Sequence, residues 1–269
     1  MIKIKIYNTR EKIYHDGKRQ IVIYKDIYIE KGEKGYTGSR KRIIEQFKDN
    51  DIGFSEYLYK QNRSLIISQK RTINKVYDIS RCNSWEWFVT LTFNQKKLDR
   101  YNYDIVSKKL KSWLDRVRRT SKDLKYIIVP ELHKDGAYHF HGLFSNCEFE
   151  FVDSGIKDRN GNKVYNIPSY KLGFTTATKV KNTNAANKYI AKYLNKDLFK
   201  ATSGKKRYWA SRNVNLPVVC ETFECDIQGK IKSLETSRNL ISKQVKQYTY
   251  VNDDGEEFKS DVIYFELDS

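Results

Sequence analysis

No run of about 18 consecutive apolar residues occurs in the 269-residue chain, which excludes a transmembrane helix. No two cysteines form a CxxC pair, and the four present (Cys82, Cys147, Cys220, Cys225) lack metal-finger spacing. They read as reduced thiols in a cytoplasm. The amino-terminal MIKIKIYNTR alternates like a strand and lacks the long apolar core of a secretory signal. No internal repeat is present. Negative charge is in deficit: 33 acidic residues face 51 Lys and Arg, a formal charge of +18. That balance favours a polyanionic partner, nucleic acid being the usual one, although ribosome-associated and membrane-surface proteins share it.

Aromatics, by contrast, are plentiful, with 20 Tyr, 13 Phe and 4 Trp. Interleaved with cations they suit single-stranded nucleic acid, because bases stack on rings while ammonium and guanidinium groups hold phosphates. A tyrosine-rich core is the other reading. The periodicity predicts an N-terminal hairpin, KIKIY and KRQIVIYKDIYIE, turning near Asp16-Gly17, then a break at GEKGYTG (32–38). A basic helical stretch follows over about 40–82. WEWFVTLTFN (85–94) reads as a buried central strand. Asn102 is placed to cap a helix with Tyr103, Val106, Leu110, Trp113 and Val117 on one face and Lys108, Arg118 and Arg119 on the other. The strands KYIIVPEL (125–132) and AYHFHGLF (137–144) flank the turn HKDG. A loop-rich region with a turn at RNGN (159–162), a strand at 173–180 and a helix at 184–197 complete the centre. A helix at about 234–247 and a hairpin turning at Asn252–Gly255 close the chain. The order implies an α+β fold with an antiparallel sheet, divided into an N-terminal extension (1–82), a central domain (83–217) and a C-terminal extension (218–269).

Only four histidines occur, and two of them, His139 and His141, sit one residue apart in YHFHGLF. On a strand both imidazoles share a face. With the hairpin centred near Asp135, Glu131 falls almost opposite His139, at a Cβ separation of about 4.5–5.5 Å. A carboxylate and two imidazoles with open positions suit Mg²⁺ or Mn²⁺, whereas a closed structural zinc site wants four ligands, typically with cysteine. Half-exposed strand histidines are the plainer alternative. His133 reads as a surface residue of the turn. In YIAKYLNK (189–196), Tyr189 and Tyr193 lie four apart, each followed three residues later by a lysine, Lys192 and Lys196. Helical packing explains such a pair equally well in isolation. Beside a cation the pair acquires a chemistry: a phenol attacks a phosphate in line, the 3′ oxygen leaves, and the 5′ phosphate is conserved on tyrosine.

Three segments in this order, FVTLTFN (88–94), VPELHKDGAYHFHGLF (129–144) and YIAKYLNK (189–196), resemble the HUH endonucleases. The likeness is to rolling-circle replication initiators of single-stranded DNA phages and related plasmids, and it covers about 84–217. It implies a five-stranded antiparallel sheet flanked by helices. It also implies metal ligation by Glu131, His139 and His141, and a nucleophile pair, Tyr189 and Tyr193, assisted by Lys192. Candidate DNA contacts are Lys196, Lys108, Arg118 and Arg119. The implied partners are single-stranded and origin DNA with a host helicase and polymerase, in the cytoplasm of a bacterial cell. No Walker A motif is present, so no fused helicase domain is expected. A transposase or relaxase using the same chemistry, or a non-catalytic DNA-binding module, are the alternatives.

Overall fold

Alternation of large and small burial runs the length of WFVTLTF: Trp87, Val89, Leu91 and Phe93 are buried, while Phe88, Thr90 and Thr92 are half-exposed. This strand, β3 (Trp87–Phe93), has one face in a core and the other turned to a functional surface. The computed structural model describes residues 4–31, 51–251 and 257–269. They fall into two units, one spanning 51–215 and one built from the two ends of the chain.

In the first unit β3 lies inside a sheet ordered β6 (Val152–Lys157), β7 (Lys163–Asn166), β8 (Gly173–Lys179), β3, β5 (Tyr138–Ser145), β4 (Lys125–Leu132) and β9 (Trp209–Ala210). Every neighbouring pair is antiparallel. The fold is α+β as expected, but the sheet has seven strands and not five. The region 145–172, read from the sequence as loop-rich, contributes the β6–β7 hairpin, held near the core by Phe151 stacking on Trp87 (3.9 Å between centroids). At the other edge, β9 adds two residues to β4.

One face of this sheet is covered by α2 (Tyr103–Thr120). Its apolar stripe, Tyr103, Val106, Leu110, Trp113, Leu114 and Val117, is wholly buried, each side chain contributing about 1.5–3 kcal/mol by leaving water. Asn102 caps it, accepting from Asp104 N and Ile105 N. Tyr103 and Trp113 meet Phe140 and Phe144 of β5. Because strand residues alternate, the odd-numbered His139 and His141 must occupy the opposite face.

That second face meets α1 (Asp51–Arg81), α3 (Thr183–Lys192) and α4 (Lys196–Ala201). The single helix expected over 184–197 is two helices. The chain unwinds after Lys192, and the Asn195 side chain accepts from Leu198 N (2.9 Å) to start α4. Asparagine offers the backbone this local alternative, which makes it a better cap than a helix-interior residue. Gln69 of α1 donates to Leu194 O (3.3 Å) in the unwound link. Arg207 ties α4 down through Thr202 Oγ1 (3.0 Å) and Phe199 O (3.3 Å).

The second unit is a five-stranded antiparallel sheet ordered β10 (Val218–Thr222), β1 (Ile4–Ile13), β2 (Arg19–Lys31), β12 (Glu257–Leu267) and β11 (Leu240–Val251). The predicted N-terminal hairpin is β1–β2, with Gly17 at φ 78° in its turn. Ile21, Ile23, Ile263, Phe265 and Leu267 pack with Ile231 and Leu234 of α5 (Ile227–Glu235). The helix expected at 234–247 ends at Glu235, and 240–251 is strand instead. Val245, Tyr248, Thr249, Tyr250 and Val251 favour the extended chain, and β11 pairs with β12 along its length. The break at 32–38, residues 40–50 of the predicted basic helix and the turn at 252–255 lie outside the described residues. Among those described, no helix is long and apolar enough to cross a membrane.

Candidate nicking site

The HKDG turn closes as its residue types require. Gly136 takes φ 86°, Asp135 Oδ1 accepts from Ala137 N (2.9 Å), and His133 N donates to Ala137 O (2.9 Å). This turn sets the register, and Glu131 stands directly opposite His139, as the sequence predicts. The side chains make a different choice. Glu131 Oε2 reaches diagonally to His141 Nε2 at 2.7 Å, while His139 stacks on His133 with centroids 5.2 Å apart.

His141 is 6% exposed and gripped on every side. Thr90 Oγ1, from the paired position on β3, lies 3.1 Å from its Nδ1. A carboxylate only accepts, so Nε2 carries the proton toward Glu131 and Nδ1 accepts from the Thr90 hydroxyl. The Tyr193 ring lies flat on the imidazole, 3.7 Å away and tilted by 8°. Tyr189 meets Tyr193 edge-on at 5.3 Å and Phe88 at 5.3 Å. The two phenols predicted as a pair are thus adjacent, although Tyr193 sits just past the end of α3 and not within it.

Glu131 is held below the ordinary carboxylate range, chiefly by the His141 hydrogen bond and then by the neighbouring imidazole charges, with burial opposing. Burial first, and His133 next, lower the His139 imidazole, leaving it neutral near pH 7. Burial pushes the Tyr193 phenol well above its ordinary value, reinforced by its hydrogen bond to Tyr189 and by the Glu131 charge. A divalent cation needs a deprotonated carboxylate and neutral imidazoles, and the structure favours those states in Glu131 and His139. By donor type and proton state the set fits such an ion. The three side chains do not meet at a point, however, and among the described residues no three His, Cys, Asp or Glu groups lie close enough to hold a metal.

The predicted cations are more dispersed. Lys192 and Lys196 are exposed and, among the described residues, make no ion pair or hydrogen bond. Lys108, Arg118 and Arg119 are exposed on α2, across the sheet from His141. Sequence reasoning gave no role to Phe88, Thr90 or Gln69. The first two were accessible, since the alternation of FVTLTFN puts 88, 90 and 92 on the imidazole face. Gln69, 125 residues from Leu194, carries no local signal.

Residues 86–198 match a family of replication-associated proteins, the ORF2 type. The match spans less than half of the chain but contains β3, the HKDG hairpin and both tyrosines. No curated protein and no solved structure matches. The family match supports a replication-associated role for the unit that holds this site.

Proposed function

We propose that the protein is a replication initiator that nicks and rejoins single-stranded DNA at an origin through a 5′-phosphotyrosine, starting rolling-circle replication. One observation carries this reading. Two tyrosines are in ring contact with each other, and one is stacked on an imidazole that is bonded to a carboxylate. Held by Glu131, His139 and His141, Mg²⁺ or Mn²⁺ supplies the positive charge that makes a phosphodiester susceptible to a weak nucleophile. The chain's own residues do the rest. Tyr189 or Tyr193 gives up its phenolic proton, and its oxygen forms a bond to phosphorus. The P–O3′ bond breaks, and the 3′ oxygen takes a proton to leave as a hydroxyl. Lys192, one turn beyond Tyr189, favours the phenolate by its charge. Since the phosphodiester is conserved as a tyrosyl ester, a 3′-hydroxyl can reverse the step and rejoin the strand. With two tyrosines, one holds the old end while the other cuts the new one. The freed 3′-hydroxyl primes a polymerase while a host helicase opens the duplex, both in the cytoplasm of a bacterial host.

The test is a covalent-adduct assay. Labelled single-stranded oligonucleotides tiled across the replicon are incubated with Mg²⁺ or Mn²⁺ and run on denaturing gels. The native protein is compared with Tyr189→Phe, Tyr193→Phe and the double variant. The expected result is a metal-dependent protein–DNA band that the double variant lacks. Loss in one single variant names the first nucleophile. DNA binding without an adduct on any tile would leave a non-catalytic binding module.

A further inference from the structure

Beside Tyr189 opens a cleft of about 590 Å³, within the range of about 300–1,000 Å³ usual for ligand sites. Its floor is the imidazole-bearing face of the sheet. Phe88 of β3 stands in register with Thr178 of β8, and Thr90 with Thr176. One wall is the β6–β7 turn carrying Asn160, another is the link into α3 carrying Lys181, and Tyr189 closes the side nearest Tyr193.

The chemistry of this lining is selective. The acid within it, Asp158, has its carboxylate engaged by the turn itself, accepting from Asn160 N (2.9 Å), Asn162 N (2.8 Å) and Asn162 Nδ2 (2.9 Å). That leaves the cleft with hydroxyls, an amide and an ammonium. The Asn160 side chain makes no hydrogen bond among the described residues, and the turn holds its backbone fixed. An amide that both donates and accepts matches a nucleobase edge. Phe88 and Tyr189 offer ring surface for the base, and Lys181, exposed at the rim, suits a phosphate. Farther along β8 on the same face, Phe174 is 71% exposed, a platform on which a further base can stack.

We infer that this cleft is a base-reading subsite. It takes the nucleotide next to the scissile phosphate of a single DNA strand, with Asn160 and Thr178 reading the base and Lys181 holding a phosphate. The inference rests on the nicking role proposed for Tyr189 and Tyr193, but its test does not depend on cleavage. The native full-length protein, Asn160→Ala and Thr178→Val each select from a synthetic single-stranded DNA pool of random sequence, retained by binding alone.

The native protein should enrich a particular base at one or two adjacent positions, and Asn160→Ala should reduce that preference by about tenfold. Asn160 is exposed on a turn, so its truncation leaves the core intact, which a thermal melt verifies. A second readout places 2-aminopurine at successive positions of a selected strand. Its fluorescence should be quenched at the same position that loses its preference, where the base meets Phe88 and Tyr189. Equal preferences in the native protein and both variants overturn the inference, as does a native protein that selects no base at all. If native protein forms no tyrosyl adduct while the preference still tracks Asn160, the nicking reading fails and the cleft stands as a single-strand subsite.

Discussion

Thr90 shows how much a single hydroxyl controls in this site. A threonine both donates and accepts, so it can support His141 with the proton on Nε2, as in the contact with Glu131, or on Nδ1, as metal ligation through Nε2 requires. A valine of the same shape can do neither. Groups that orient a ligating imidazole typically account for 10–100-fold in metal affinity. Thr90→Val should therefore weaken Mn²⁺ binding by about that factor, and Thr90→Ser should restore most of it, both measured by isothermal titration. Equal affinity in the native and valine proteins would show that the hydroxyl does not orient the ring. Some of this site was legible in the sequence. The HKDG turn fixes the register, so Glu131 opposite His139 follows from spacing. Register sets Cα neighbours and not side-chain direction, which is why the diagonal bond to His141 and the His133–His139 stack were not foreseen.

At the scale of elements, the junction between α3 and α4 governs where Tyr193 stands. Helical spacing places Tyr189 and Tyr193 on one face, but periodicity does not register that Asn195 stops one helix and starts another. Removing the cap bond to Leu198 N should destabilise the protein by about 0.5–2 kcal/mol. In urea, Asn195→Ala should thus unfold at a lower midpoint with an unchanged m-value, and it should form adduct more slowly because the Tyr193 link loosens. An unaltered midpoint would mean that Gln69 and Arg207 suffice to hold the junction. The β6–β7 turn depends on Asp158 in a way that sets its acid limit. The carboxyl lies below its ordinary pKa, first because of the Asn162 side-chain bond and then the backbone bonds of Asn162 and Asn160. A depressed carboxyl stabilises the folded turn fully above its unfolded pKa, and this contribution is lost as pH falls through the lower folded value. The amide resonances of Asn160 and Asn162 should accordingly hold their positions to below the usual carboxylate range and then move together. A midpoint at the ordinary aspartate value would show that the turn is not held by this group.

For the whole molecule, the strand and helix content was largely readable, while the partnering of the chain ends was not. Asn8 and Glu224, 216 residues apart, exchange two hydrogen bonds, and no local pattern announces such a pair. The excess of 18 positive charges is similarly a global quantity whose placement only the fold reveals. Lys108, Arg118 and Arg119 line the outer side of α2, while the tyrosines lie on the other face of the same sheet. A strand held at Tyr189 must pass the sheet edge to reach these cations, so they belong to flanking DNA and not to the scissile phosphate. Counterion release makes the logarithm of a single-strand binding constant fall with log salt by about 0.7 for each phosphate neutralised. If each of the three cations meets one phosphate, replacing all three with alanine should make that slope shallower by about 2. The measurement is a salt titration of binding to an oligonucleotide long enough to extend past both sheet faces. On a short oligonucleotide confined to the tyrosine face the native and triple-variant slopes should coincide. A loss of slope on the short strand as well would place the cations at the nicking face. No loss on either strand would assign the α2 surface to something other than DNA.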